Sequence, residues 1–109
     1  MPRNIETKGS GCDMALDNIR NAIDKTDDKI LEFFLERMEL VKAVAENKAE
    51  KGVSIRDEER ERDILKRVRS ESGDMEQYTH KLFTMLFELS RSYQEALRYR
   101  GIQKDKQDY

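Results

Sequence analysis

The sequence predicts an all-α fold with three helices per chain, the first very long, assembled as an intertwined helical homodimer. Three observations carry this reading. A seven-residue pattern runs through Leu16, Ile19, Ile23, Thr26, Ile30, Phe33, Arg37, Leu40, Val44 and Asn47, the spacing of an amphipathic helical seam. Glycine and capping residues punctuate the rest of the chain at Gly52, Ser54, Gly73, Asp74 and Gly101, as helix starts and stops require. Charged residues make up 40% of the chain against 37% hydrophobic, with one proline and no tryptophan. That balance suits solvated helices with narrow apolar seams better than a two-faced sheet.

The first helix is expected from Asp13, a capping residue, to Lys51, with Gly52 just past its end. About 40 residues of helix span roughly 55–60 Å at 1.5 Å per residue. A compact domain of this length has a radius of gyration of about 13 Å. Such a rod overshoots its own globule, so its far half must pack on something, most simply a second copy. The second helix is expected after Ser54, with Asp57 completing a capping pattern, and to end between Ser70 and Gly73. The third is expected from Asp74, with Gln77 in the same capping relation, through Tyr78, Leu82, Met85, Leu86, Leu89, Tyr93, Ala96 and Leu97 to about Arg100. Gly101 would stop it. The organisation is one domain over residues 14–100, flanked by a flexible leader, 1–13, and a polar tail, 101–109.

Several function classes find little support. The formal net charge is −2, from 21 basic and 23 acidic residues, and a nucleic-acid binder would normally show a net basic surface. The one cysteine, Cys12, has no partner for a disulfide or a multi-cysteine metal site. It lies in the leader, a poor place for a thiolate nucleophile. The leader also lacks the apolar core of a secretion signal. No run approaches the roughly 20 apolar residues of a membrane span. A cytoplasmic protein is therefore expected. His80, the one histidine, falls by helical phase on an outer face with Thr84 and Arg91. A zinc cluster would need histidine or cysteine partners, and no glycine-rich phosphate loop occurs. An enzyme built from this set works without nucleophile, metal or cofactor.

The informative positions are those that break the apolar pattern. Ile64 and Val68 define the inward stripe of the second helix, and Asp57, Arg60 and Glu61 fall within about 60° of it. Arg56, Glu58, Glu59, Arg62, Asp63 and Lys66 point away. Charges at the rim of an inward face need partners or a ligand, because burying them unpaired is costly. Arg37 occupies a seam position between Phe33 and Leu40. Alone it reads as readily as a structural arginine, snorkelling or in an interhelical ion pair, as it does as a site residue. Lys48 lies about 20° round the same face, three turns on, where it also complements the helix dipole. Arg20 sits about 100° from Arg37 around the helix, so the two cannot line one pocket from the same straight face; in an intertwined dimer Arg20 could reach the partner's pocket instead. Ser90 and Gln94, four apart, lie at the edge of the third helix's apolar face beside Phe83, Phe87 and Leu97. A polar helix edge is commonplace. Together Arg20, Arg37, Lys48, Arg60, Glu61, Ser90 and Gln94 offer three guanidiniums, an ammonium, a carboxylate and two neutral hydrogen-bonding groups, which suits a small polyanion carrying a hydroxyl.

At these residues the chain resembles the all-helical, AroQ-class chorismate mutases. The resemblance rests on Ile19-Arg20, Glu36-Arg37-Met38-Glu39-Leu40 and Asn47-Lys48, then on Arg56-Asp57-Glu58-Glu59-Arg60-Glu61-Arg62, and on Ser90 and Gln94 downstream of Tyr78 and Phe83. It covers roughly residues 14 to 98. Single pieces such as Glu-Arg are weak, but the ordered set is highly specific.

The resemblance implies conversion of chorismate to prephenate on the route to phenylalanine and tyrosine, with no cofactor. It implies that Arg37 and Arg60 grip the substrate carboxylates, with Arg20 reaching across from the other subunit of a homodimer. Lys48 and Gln94 would donate to the breaking ether oxygen. Glu61 would accept from the ring hydroxyl, helped by Asp57, and Ser90 would contact the ring carboxylate. Two further readings compete. Isochorismate-pyruvate lyases resemble the same fold but lack the second-helix Asp and Glu, present here as Asp57 and Glu61. The other is a non-catalytic domain: the intact set argues against a regulatory chorismate-binding module, and a plain helical dimerisation domain would leave Arg37 and Asp57 in apolar faces without explanation.

Overall fold

The structure, a computed structural model, describes the backbone of residues 11–52 and 54–107 and the side chains of 14–48, 52 and 54–101. It contains α1 (Gly11–Lys51), α2 (Glu58–Glu71) and α3 (Glu76–Gln107), with a 3-10 turn, Gly73–Met75, between the last two. Among the described residues there is no strand. The all-α class with three helices, the first 41 residues long, is therefore observed.

The helix ends are where sequence expectation and structure part. α1 is already helical at Gly11, so Asp13 lies inside its first turn and is not the cap. The first four N–H groups of a helix have no intrahelical partner in any case, so glycine is tolerated there. Residues 1–10 of the expected leader lie outside the described residues, whereas 11–13 belong to α1. At the other end, Gly52 takes φ +66, the left-handed conformation that closes a helix and that glycine adopts without a Cβ clash.

Asp57, not Ser54, caps α2: its Oδ1 accepts from the Arg60 backbone N–H at 3.0 Å. The Asp57 carbonyl accepts the first helical bond, from Glu61 N, at 3.1 Å. A carboxylate at this place satisfies an orphan donor and also meets the positive end of the helix dipole. α2 ends at Glu71, and the chain turns through Gly73 at φ +55. Asp74 does not start α3 as expected. It sits inside the 3-10 turn, where Met75 N donates to the Ser72 carbonyl at 3.0 Å. That tight i→i+3 bond supplies what a capping side chain would. The Ser72 and Thr79 hydroxyls lie 2.6 Å apart across the turn.

Gly101 does not stop α3, which continues to Gln107. Glycine ends a helix by turning left-handed, but among the described residues only Gly52 and Gly73 have positive φ. Held in the right-handed region, Gly101 costs about 1 kcal/mol relative to alanine and leaves the helix intact. Much of the polar tail is thus helical.

The chain divides into two compact units, residues 1–37 and 38–109. The first holds the N-terminal part of α1. Its seam residues Leu16, Ile19, Ile23, Ile30 and Phe33 are exposed in the single chain, Phe33 by 62%. Thr26, in the same seam, donates its hydroxyl to the Ala22 carbonyl at 3.0 Å.

In the second unit α2 packs on α3. Ile64, Leu65 and Val68 of α2 and Phe83, Leu86 and Leu97 of α3 are half-buried, and Ala45 and Phe87 are buried. The Phe83 and Phe87 rings meet edge-on, with centroids 6.5 Å apart, a favoured aromatic geometry. α3 carries two apolar stripes centred about 130° apart. Phe83, Phe87, Ser90, Gln94 and Leu97 form the stripe that is buried or half-buried, while Tyr78, Leu82, Met85 and Leu89 form one that is exposed. The sequence places Ser90 and Gln94 at the edge of an apolar face. Instead they lie in the middle of the covered stripe.

Candidate functional site

Three elements of the 38–109 unit carry most of the expected site residues. Lys48 lies near the end of α1, Asp57, Arg60 and Glu61 at the start of α2, and Ser90 and Gln94 in the middle of α3. Arg20 and Arg37 belong to the 1–37 unit, Arg20 exposed and Arg37 half-buried. Arg37 has a partner within the chain.

Lys48 is half-buried and donates its ammonium to the Ile55 carbonyl at 2.8 Å. This bond ties the end of α1 to the connection that leads into α2. Of the three charges that helical phase brings near the stripe of α2, only Glu61 is half-buried, and Asp57 and Arg60 are exposed. Asp57 faces its own helix as the cap, so its carboxylate is committed locally.

Glu61 finds a partner that sequence reasoning missed. Arg91 Nη1 lies 2.5 Å from Glu61 Oε2, with side-chain exposures of 24% and 18%. Arg56 Nε lies 3.7 Å from Glu61 Oε1. Helical phase assigns Arg91 to an outer face with His80 and Thr84, and both of those are exposed as expected. Arg91 departs from them because it stands only about 40° from the buried Phe87. From that edge its long stem can lie along apolar surface while the guanidinium reaches α2. The signal was present in the sequence as an unmatched carboxylate on α2 and a long cation one turn after a core phenylalanine.

Ser90 and Gln94 are 8% and 6% exposed. The Ser90 hydroxyl donates to the Leu86 carbonyl at 2.7 Å. Gln94 Oε1 is buried with no hydrogen-bond partner. A buried polar atom left unpaired costs about 1–3 kcal/mol, so a side chain kept in that state points to a ligand that completes it. A half-turn of the amide exchanges its oxygen for the NH2 group, so the same position can accept or donate. Asp17 Oδ2, on the other unit, is a second buried oxygen without a partner. Among the described residues no group of three His, Cys, Asp or Glu side chains could hold a metal ion, and no helix is long and apolar enough to cross a membrane.

The charged and polar site residues from Arg20 to Gln94 all fall within residues 19–95, the stretch that matches the family model described as chorismate mutase type II. The chain is also 40% identical over 83 residues to a chorismate mutase of Methanocaldococcus jannaschii, a match covering 73% of this chain and 84% of that relative. No solved structure matches. The chain belongs to the chorismate mutase type II family.

Proposed function

We infer that this protein catalyses the rearrangement of chorismate to prephenate, as an intertwined homodimer in the cytoplasm. The observation that carries the reading is the buried Gln94 side chain, whose Oε1 has no hydrogen-bond partner, next to the buried Ser90, in a chain of this family. An unpaired amide oxygen in a covered stripe has a polar ligand as its natural complement. The presence of both Asp57 and Glu61 favours the mutase over the isochorismate-pyruvate lyase.

The reaction is unimolecular: the ether C–O bond breaks as a new C–C bond forms, and no proton or external electron is transferred. Its physical demands are a compact diaxial substrate and stabilisation of charge on the departing ether oxygen. In this reading Arg37 and Arg60 grip the two carboxylates bidentately, and Arg20 of the other subunit reaches the same substrate. Lys48 and Gln94 donate to the ether oxygen, where their bonds strengthen as negative charge develops. Glu61 accepts from the ring hydroxyl, Asp57 supports that end of α2, and Ser90 contacts the ring carboxylate. The dimer is supported by the exposed seam of α1 and the exposed stripe Tyr78, Leu82, Met85 and Leu89 of α3, since large apolar patches on a free surface mark an interface.

The test is to follow chorismate absorbance with purified protein in buffer containing EDTA, and to identify the product. Loss of chorismate with prephenate as product is the expected result. Pyruvate release from isochorismate would transfer the assignment to the lyase, and no turnover at micromolar protein would leave a binding or dimerisation domain.

A further inference from the structure

We propose that Arg91 is a positioning residue that aims Glu61 at the substrate's ring hydroxyl, an inference that rests on the mutase reading above. Acidic neighbours flank Arg91 on its own helix. Glu88 and Glu95 lie three and four residues away on the same helix, both exposed, and an i,i+4 pair with Glu95 is the usual fate of a surface arginine. Instead its guanidinium crosses to α2 and binds Glu61, 30 residues distant in sequence, at a half-buried position. A half-buried ion pair adds little net stability, because desolvation cancels much of the attraction. Holding a carboxylate in one orientation is a different task, and the geometry suits it.

Arg91 binds Oε2 of Glu61, while Oε1 faces the exposed Arg56 Nε at 3.7 Å. That second distance is too long for a hydrogen bond. One carboxylate oxygen is thus anchored and the other keeps its lone pairs for an incoming hydroxyl. Arg91 also lies between Ser90 and Gln94, so the same turn of α3 that presents the two buried polar groups orients the acceptor on α2. A site built to receive a hydroxyl rejects ligands that lack one, because its own polar group is then left unpaired. Arg91 therefore acts on specificity as well as on rate.

The test compares Arg91→Met, which keeps the apolar stem, with Arg91→Lys, which keeps the charge. Each is made in the natural background and with Glu61→Gln. Arg91→Met is expected to lower kcat/KM about tenfold, mostly through KM, since the hydroxyl contact exists in ground and transition states alike. Arg91→Lys should recover most of that loss. With Glu61→Gln in place, Arg91→Met should cost less than about twofold more, as coupled residues are not additive. A competitive inhibitor without the ring hydroxyl should bind the natural protein and Arg91→Met equally.

Equal losses in both Glu61 backgrounds, or the same loss of affinity for inhibitors with and without the hydroxyl, would show that Arg91 acts independently of Glu61. Should Arg91→Met fail to fold, Arg91→Lys decides alone, and a tenfold loss of kcat/KM there without recovery overturns the proposal. A natural protein with no turnover of chorismate overturns the proposed reaction and this inference together. An active one with unaffected Arg91 variants overturns only this inference.

Discussion

Lys48 donates its ammonium to the Ile55 carbonyl at 2.8 Å, so the backbone of the connection into α2 holds the cation that we place on the ether oxygen. An ammonium has three donors, and this bond uses one of them. The remaining donors can serve a ligand while the first keeps the side chain in place. Preorganisation of this kind means that little has to move as charge builds on the substrate.

Removing Lys48 is expected to cost the most in turnover. Lys48→Ala should lower kcat at least ~10²-fold, comparable to deleting an oxyanion donor. Steady-state kinetics on the purified variant decide this, with circular dichroism to show that the helices persist. Near-full turnover would remove Lys48 from the mechanism.

Gln94 bears a neutral amide, so its ability to donate does not depend on pH. The natural protein should keep its activity through neutral and mildly alkaline pH, without a steep loss between about pH 6 and 8 from this residue. Gln94→Glu should behave differently. A carboxyl group donates only when protonated, and its ionised form would repel charge developing on the ether oxygen. Activity of that variant should therefore be highest at acidic pH and fall as the carboxyl ionises. A pH profile with the same shape for both proteins would contradict the donor role.

The intertwined dimer we propose predicts complementation between chains. Arg20→Ala and Arg37→Ala should each be nearly inactive alone. In a mixed dimer, one site draws Arg37 from the first chain and Arg20 from the second, and both are intact. Co-refolding equal amounts should restore about a quarter of natural activity, since half the dimers are mixed and each has one good site. A monomer, or a dimer whose sites each come from one chain, would restore none. Light scattering should give a mass of about 26 kDa, twice the 12.9 kDa of one chain.

Asp57 separates capping from substrate contact. Asp57→Ala should destabilise the protein by about 1 kcal/mol through loss of the bond from Arg60 N, seen as a lower Tm. Asp57→Asn keeps a capping oxygen and should unfold close to the natural protein. If Asp57 supports Glu61 only by holding the start of α2, Asp57→Asn should also keep most of the activity. A loss of activity in Asp57→Asn without a loss of stability would give the carboxylate a direct role at the substrate.

Much of the fold and part of the site were legible in the sequence. The long seam from Leu16 to Asn47 marks α1, and Gly52 marks its end, because a left-handed residue just past the last turn is a local event. Asp57, Arg60 and Glu61 stood out as charges beside an apolar stripe, although only Glu61 is half-buried. The caps were less legible. Ser54 and Asp57 are both competent capping residues three apart, and periodicity cannot say which one the first helical turn will use. Gly101 misleads for a related reason: glycine permits a stop without compelling one, and here it stays right-handed.

The sequence by itself determined that the protein is helical, where its helices run except at the end of the third, and which ordered set of charged and polar residues marks its family. Those properties depend on groups three or four residues apart, and the chain carries them wherever it goes. Only the tertiary structure decided which stripe of α3 is covered within the chain, and so that Ser90 and Gln94 are buried rather than marginal. It alone showed Glu61 meeting Arg91 and Lys48 meeting Ile55. The physical reason is that α3 offers two apolar stripes of similar character, and packing against α2 chooses between them. That choice turns Arg91 inward to a carboxylate 30 residues away, a contact that no helical period contains.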